Sequence, residues 1–487
     1  YDKKYPHAVA NTHKTIARSL FENEINKTKS VRDNSNLIDS LAVEQLVGTL
    51  EQVVDVNNYS FETAALLNTF ADNDEFDENG RVKKTRTIRY LPTFYTNYLV
   101  TQVDFNFLNN SYQSFTGNAF YFYPGFNLIF KIGTADLFEN YRITAGARLS
   151  ANLSGNEYLL SFENLKKRWN KQLVLHRQVM TNNSDNYYVH KVFTHEAFYI
   201  MRYPFSQVHA LQITGNFRHN YFTYLSLDNQ SLLSEPWNDF WFSLKAEYIF
   251  DNTSKLSTNI LSGTRVKVFG EAFRQLNKKE TDMFVVGCDF RYYQPIYKNL
   301  IFAARFASSY SFGNAKLIYY LGGIDNWIRF SKKNPIFDSS IRIDPDVNYV
   351  YQAVATNMRG FQQNVRNGTN FAVVNAEIRW PVFSYFFSKP INNDFLKNFQ
   401  IVGFFDVGSA WSGLSPFDGD NAYQNNYYDH NSISVVIYNN NYPIVAGYGF
   451  GLRTKLFGYF IRADWAWGLE NGEILSPIFY LSLGLDF

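Results

Sequence analysis

From about Thr87 to Phe487 apolar and polar residues alternate with a period of two, and nowhere does the chain carry the roughly 18 uninterrupted apolar residues of a membrane-spanning helix. The last segment shows the pattern cleanly. Phe479, Leu481, Leu483, Leu485 and Phe487 form one face, and Tyr480, Ser482, Gly484 and Asp486 form the other. Upstream, Tyr459, Ile461, Ala463, Trp465, Trp467 and Leu469 alternate with Arg462, Asp464, Ala466, Gly468 and Glu470. Tyr141 to Asn152 repeats the alternation, as do Phe242 to Phe250, Val266 to Ala272 and Ile444 to Leu456, where Gly447, Gly449 and Gly451 share the polar face.

A soluble β-sandwich also alternates, so composition has to decide. Charged residues are only 18% of the 487, below the roughly 25% of soluble domains, while aromatics reach 18% and mean hydropathy is −0.29. Backbone polar groups cannot be left unpaired in lipid, so a chain of this kind crosses a bilayer only as a closed barrel. Three features favour that reading: Arg and Lys accompany Asp and Glu on the polar faces as in a wet lumen, aromatics gather at strand ends, and the final strand runs out on a Phe. The expected fold is an all-β membrane protein, a sixteen-stranded antiparallel transmembrane β-barrel. Its strands are read as starting near Ile88, Gly125, Tyr141, Glu157, Gln172, Asn186, Gln207, Asp239, Thr264, Asp282, Leu300, Asn370, Phe399, Pro443, Gly458 and Pro477.

Residues 1–86 differ. Leu37, Leu41, Leu46 and Leu50 lie near helical spacing, Glu62 to Phe70 reads as a second short amphipathic helix, and the polar run Asp72 to Lys84 reads as a linker. A small helical or irregular N-terminal segment therefore precedes the barrel of residues 87–487, and a signal peptide or more is expected to have been removed before Tyr1.

Other chemistry is sparse. A formal charge of +2 gives no field for nucleic acid, and the single Cys288 excludes internal disulfides and Cys-cluster metal sites. His190 and His195 have no metal-binding helix around them, and Gly447-x-Gly449-x-Gly451 lies inside a strand, where small residues relieve lumen crowding. No Gly-x-Ser-x-Gly, His-Glu-x-x-His or P-loop occurs. The expectation is a non-enzyme with no catalytic residues, metal or cofactor.

Two connections are far longer than hairpin turns, Gly313 to Thr369 and the polar stretch Ser412 to Tyr442. The first lies between the eleventh and twelfth strands and contains Met358-Arg359-Gly360-Phe361. On the next strands Glu377 shares the polar parity of Asn375 and Arg379, and Asp406 shares that of Val402, Phe404 and Gly408. Two inward carboxylates on adjacent strands form a receptacle for one guanidinium, whose planar fork Lys cannot match. Gly360 would let the loop backbone approach the wall, and Phe361 would pack on it.

Here the chain resembles the bacterial surface antigen superfamily of outer-membrane protein assembly and polypeptide-translocation barrels. In that family a loop with a hydrophobic residue followed by Arg-Gly-Phe folds back inside a sixteen-stranded barrel. Met358, Arg359, Gly360 and Phe361 match it, as do the family's Phe-x-Asp-x-Gly strand (Phe404, Asp406, Gly408) and preceding Glu (Glu377). The resemblance implies a Gram-negative-type outer membrane, a periplasmic N-terminal segment, polypeptide clients and periplasmic or outer-membrane partner subunits beside the surrounding lipid. It also implies a seam between first and last strands that opens sideways to admit an incoming strand. Pro92, Phe94, Phe479, Leu481, Leu483, Leu485 and Phe487 are the candidates for that seam, with Pro92 either in the first strand as an edge marker or outside the ladder. Residues 1–86 do not read as the family's usual periplasmic module, which leaves client capture open. The leading expectation is a barrel that helps insert or translocate polypeptides. The alternatives are a porin-like or secretion channel, or a structural barrel subunit of a larger complex.

Overall fold

The computed structural model describes residues 90–487 except 105–106, 110, 116–125, 151–154, 183–188, 226–228, 279–280, 329–336, 339–340, 345, 388, 419–420, 422–424, 431–432 and 439–440. The N-terminal segment 1–86 and the strand start at Ile88 lie outside the described residues.

In chain order, β1 (Phe94–Asp104) is followed by a two-residue strand, β2 (Gln113–Ser114). Next come β3 (Asn127–Asp136), β4 (Tyr141–Ser150), β5 (Glu157–Asn164), β6 (Asn170–Asn182), β7 (Val189–Pro204), β8 (His209–Leu225) and β9 (Trp237–Asp251). A short β10 (Ser254–Ser257) leads to β11 (Ile260–Gln275), β12 (Asp282–Tyr297) and β13 (Leu300–Gly313). Three short strands follow, β14 (Lys316–Leu321), β15 (Tyr349–Val354) and β16 (Arg366–Gly368). The chain continues through β17 (Asn370–Trp380), β18 (Gln400–Trp411), β19 (Asn425–His430), β20 (Ile433–Tyr438), β21 (Val445–Leu456), β22 (Tyr459–Glu470), β23 (Glu473–Ile474) and β24 (Ile478–Leu483). Among the described residues no helix is long and apolar enough to cross a membrane.

The long strands pair in one antiparallel succession. It runs β1, β3, β4, β5, β6, β7, β8, β9, β11, β12, β13, β17, β18, β21, β22, β24. Each strand alternates as its sequence dictates. On β12, Met283, Val285 and Tyr293 are buried while Phe284, Val286 and Phe290 are exposed; on β18, Phe404 and Asp406 are buried while Phe405 is exposed. The outer surface thus carries large apolar side chains such as Leu160, Leu175, Leu244, Phe290, Phe405 and Phe450, an arrangement that costs free energy in water and suits lipid.

The interior is not simply wet. β14 pairs in parallel with β15 and antiparallel with β16, and β15 pairs with β2, so two infolded connections build a four-stranded inner sheet. Leu317, Tyr319, Leu321, Tyr351, Met358 and Phe361 of this inner layer share one apolar core with Trp241, Phe273, Met283, Val285, Phe371 and Val373 of the wall. Residues 105–126, joining β1 to β3, and 381–399, joining β17 to β18 through α1 (Val382–Phe386) and α2 (Asp394–Lys397), are further long connections that hairpin counting does not flag.

At the seam one open alternative resolves, and the expected extent of the last strand needs correction. β1 begins at Phe94, so Pro92 precedes the ladder, where its missing N–H removes no bond. β24 ends at Leu483, because Gly484 takes φ +123° and turns the chain, so Leu485 and Phe487 lie beyond the strand. Among the described residues no ladder joins β1 to β24; the Val103 N–H donates instead to the Tyr459 hydroxyl of β22 at 3.0 Å.

Candidate functional site

The register of β17 against β18 sets Asn375 opposite Asp406 and Glu377 opposite Phe404, so both carboxylates face inward one step apart. Between them lies Arg359. Its Nε and Nη2 donate to the two Asp406 oxygens at 2.7 Å each, and its Nη1 donates to Glu377 at 2.7 Å. The Arg359 backbone N–H adds a bond to Asp406 at 3.1 Å, and Asn375 donates to Asp406 at 2.8 Å and to the Asn357 carbonyl at 2.9 Å. The guanidinium also lies over the Phe404 ring, 3.8 Å from its centroid, a desolvated cation–π contact of about 2 kcal/mol. Arg359 is 4% exposed and Asp406 0%. Burial alone would lower the Arg359 pKa, but Asp406 and then Glu377 more than reverse this and hold it well above its ordinary value, so it stays a cation.

The neighbours of Arg359 fit the same cradle. Met358 is buried and its N–H donates to the Gly323 carbonyl at 2.9 Å. Gly360 has φ +94°, and a Cβ there would come within 2.7 to 2.8 Å of the Trp467 and Gly468 backbone of β22. Only glycine tolerates both conditions. A side chain on Gly447 of β21 would strike the Arg359 carbonyl, and one on Gly451 would strike the Asp464 carboxylate, so the glycines on the polar face of β21 make room for the loop and its ion pairs. A Cβ on Gly408 would come within 2.8 Å of the Val373 side chain. The structure thus brings together Met358, Arg359, Gly360, Phe361, Glu377, Phe404 and Asp406, with Gly408 one step along the same face of β18 and packed on Val373.

Two partners of this site and a neighbouring arginine carry no signal in the motif. Tyr480 of β24 is fully buried; its hydroxyl accepts the Gly360 N–H at 3.0 Å and donates to the Phe361 carbonyl at 2.7 Å. Arg379 donates to Glu377 at 2.8 Å and to the Phe487 carbonyl at 3.1 Å. Arg453 donates to Asp464 at 2.8 Å and to Asp486 at 2.9 Å. Their inward parity was legible, but their pairing with segments distant in sequence was not.

A second buried cluster holds the other infolded connection. His176 bridges Glu157 at 2.7 Å and Glu196 at 2.9 Å, and Arg148 donates to Glu157 at 2.7 Å. Glu157 also accepts the backbone N–H groups of Leu108 and Asn109 at 2.9 and 3.0 Å, Glu196 accepts from Ser111 at 2.8 Å, and Arg218 donates to the Tyr112 carbonyl at 2.6 Å. Shared lumen parity of Glu157, His176 and Glu196 on adjacent strands is the signal that could have found it.

At the seam, Phe94 and Phe479 are exposed, Phe479 packing on Trp465 with ring centroids 4.9 Å apart, while Leu481 and Leu483 are half-buried. Leu485 is exposed, and Phe487 turns back toward Arg379, whose guanidinium lies 5.1 Å from its ring.

Residues 93–487 match the family model described as the Omp85 superfamily domain. No curated protein sequence matches the chain. Among solved structures the chain is similar to BamA from Haemophilus ducreyi lacking POTRA domains 1-3, with a TM-score of 0.50 and 12% identity over 81% of this chain and 71% of that one. It also matches CdiB from Acinetobacter baumannii (TM-score 0.41, 12% identity, 74% of this chain and 57% of that chain) and CdiB from Escherichia coli (0.42, 11%, 82% and 63%). The chain thus spans less than two thirds of either CdiB. At these identities the BamA likeness speaks to fold alone.

Proposed function

The chain belongs to the Omp85 superfamily, and from that premise we propose that it is a non-enzymatic barrel of the outer membrane that helps insert or translocate polypeptides. The antiparallel succession of long strands, with apolar side chains outward, supports a sixteen-stranded barrel in lipid. In this reading the Arg359 loop braces the lumen, the edge between β1 and β24 is the weak seam that an extended polypeptide approaches, and residues 1–86 lie in the periplasm with partner subunits.

The observation that carries the reading is a filled interior beside an unladdered seam. A solute pore needs an open lumen, yet here the inner sheet and the wall share one apolar core. The edge of β1 turned away from β3, in contrast, carries no ladder among the described residues, and such an edge can take up another strand. Planar-bilayer recording separates the two classes. Small, erratic currents are expected of a plugged barrel; large, steady single-channel currents would favour the porin-like alternative and remove this reading.

A further inference from the structure

The free edge of the last strand is already taken. β24 pairs with β22 on one side, Leu481 opposite Ala463 and Ser482 opposite Arg462. On its other side the Leu481 carbonyl accepts the Ile328 N–H at 2.7 Å, and Trp327 forms an antiparallel bridge with Ser482. Both polar groups of one strand residue point the same way, so this contact uses the edge turned away from β22. Asn326, at φ +55°, turns the chain into the bridge, and its Nδ2 donates to the Leu483 carbonyl at 2.9 Å. The Trp327 ring rests on Tyr480, centroids 4.7 Å apart.

The segment is also tied to the clamp. Arg462 donates to Asp325 at 2.8 Å, the Asp325 N–H donates to Asn357 at 2.9 Å, and Gly323 is bridged to Met358. One edge accepts one strand. We propose that Asn326–Ile328 is a resident strand on the open edge of β24, and that it must leave before β1 or an extended segment of a client polypeptide can pair there. Release of the clamped loop and exposure of the seam thereby become one event. The identity of the competitor rests on the function proposed above; the contact itself does not.

The test uses the purified full chain in detergent micelles and, as probe, a synthetic peptide of the sequence Phe94–Asp104 carrying a photoreactive group. Ile328→Pro removes the N–H that Leu481 accepts. Trp327→Cys with Ser482→Cys, in a Cys288→Ser background, places two thiols at a non-hydrogen-bonded antiparallel pair, where the Cα separation of about 4.5 Å is within disulfide reach. Ile328→Pro is expected to raise probe capture on β24 about fivefold or more, in line with one lost backbone hydrogen bond. The oxidised pair is expected to capture none, and reduction to restore the starting level. Capture unchanged by Ile328→Pro, or capture by the oxidised pair at the wild-type level, would overturn the proposal. Because the readout needs neither cells nor clients, failure of the assembly activity leaves the capture ratios standing, and flat ratios count against the resident strand alone.

Discussion

The Gly360 N–H meets the Tyr480 hydroxyl at 3.0 Å, so the Arg359 loop hangs from β24, the last strand of the antiparallel succession. The same hydroxyl serves the Phe361 carbonyl at 2.7 Å. Tyr480→Phe keeps the ring but leaves a buried donor short of a partner, at about 1–3 kcal/mol. The expected result is faster amide hydrogen exchange in residues 358–361 with the wall strands unchanged. Exchange at the wild-type rate would remove Tyr480 from the anchor.

Arg359 is held by three side-chain bonds to two buried carboxylates, so truncation leaves those charges uncompensated. Arg359→Ala should destabilise the inserted loop by about 3–5 kcal/mol. Arg359→Lys should recover only part, because an ammonium cannot supply the planar fork. Protease susceptibility of residues 314–369 in the folded barrel checks both, with Asp406→Asn expected to behave like Arg359→Ala.

Gly447→Ala adds one methyl where the Arg359 carbonyl lies against β21. Overpacking at such a contact costs about 1–3 kcal/mol. The expected phenotype is a loosened loop inside an intact barrel, read as increased proteolysis of the loop with the heat-modifiable folded band retained on gels. Gly403→Ala, at a position with open space around its Cβ, should change neither.

The connection between β1 and β3 is held by Glu157, which accepts both the Leu108 and Asn109 N–H groups. Glu157→Gln removes a charge shared with Arg148 and His176 and should free residues 107–109 and 111–115 from the wall. In a Cys288→Ser background, maleimide labelling of Ser111→Cys should accelerate about tenfold or more, equivalent to roughly 1.4 kcal/mol.

The wall was largely legible because a period of two leaves little freedom. Strand starts read at Tyr141, Glu157, Asp282, Leu300 and Asn370 coincide with those observed. Boundaries drifted where alternation runs past a break: Phe479 to Phe487 alternates throughout, but Gly484 stops the ladder at Leu483. The meeting of Arg359 with Asp406 and Glu377 was visible as parity on adjacent strands. The inner sheet was not, because β2 and β16 are two and three residues long and are held by the wall rather than by local preference. Asn326–Ile328 forms a single bridge and carries no alternation to read.

The central question is whether this clamped barrel works on other polypeptides. Its most direct test is the amount of other β-barrel proteins in the outer membrane after depletion of this chain, with complementation by wild type, Arg359→Ala or Asp406→Asn. An assembly role predicts a fall on depletion that wild type reverses and neither variant does. Unchanged levels in depleted cells, or full rescue by both variants, would contradict it.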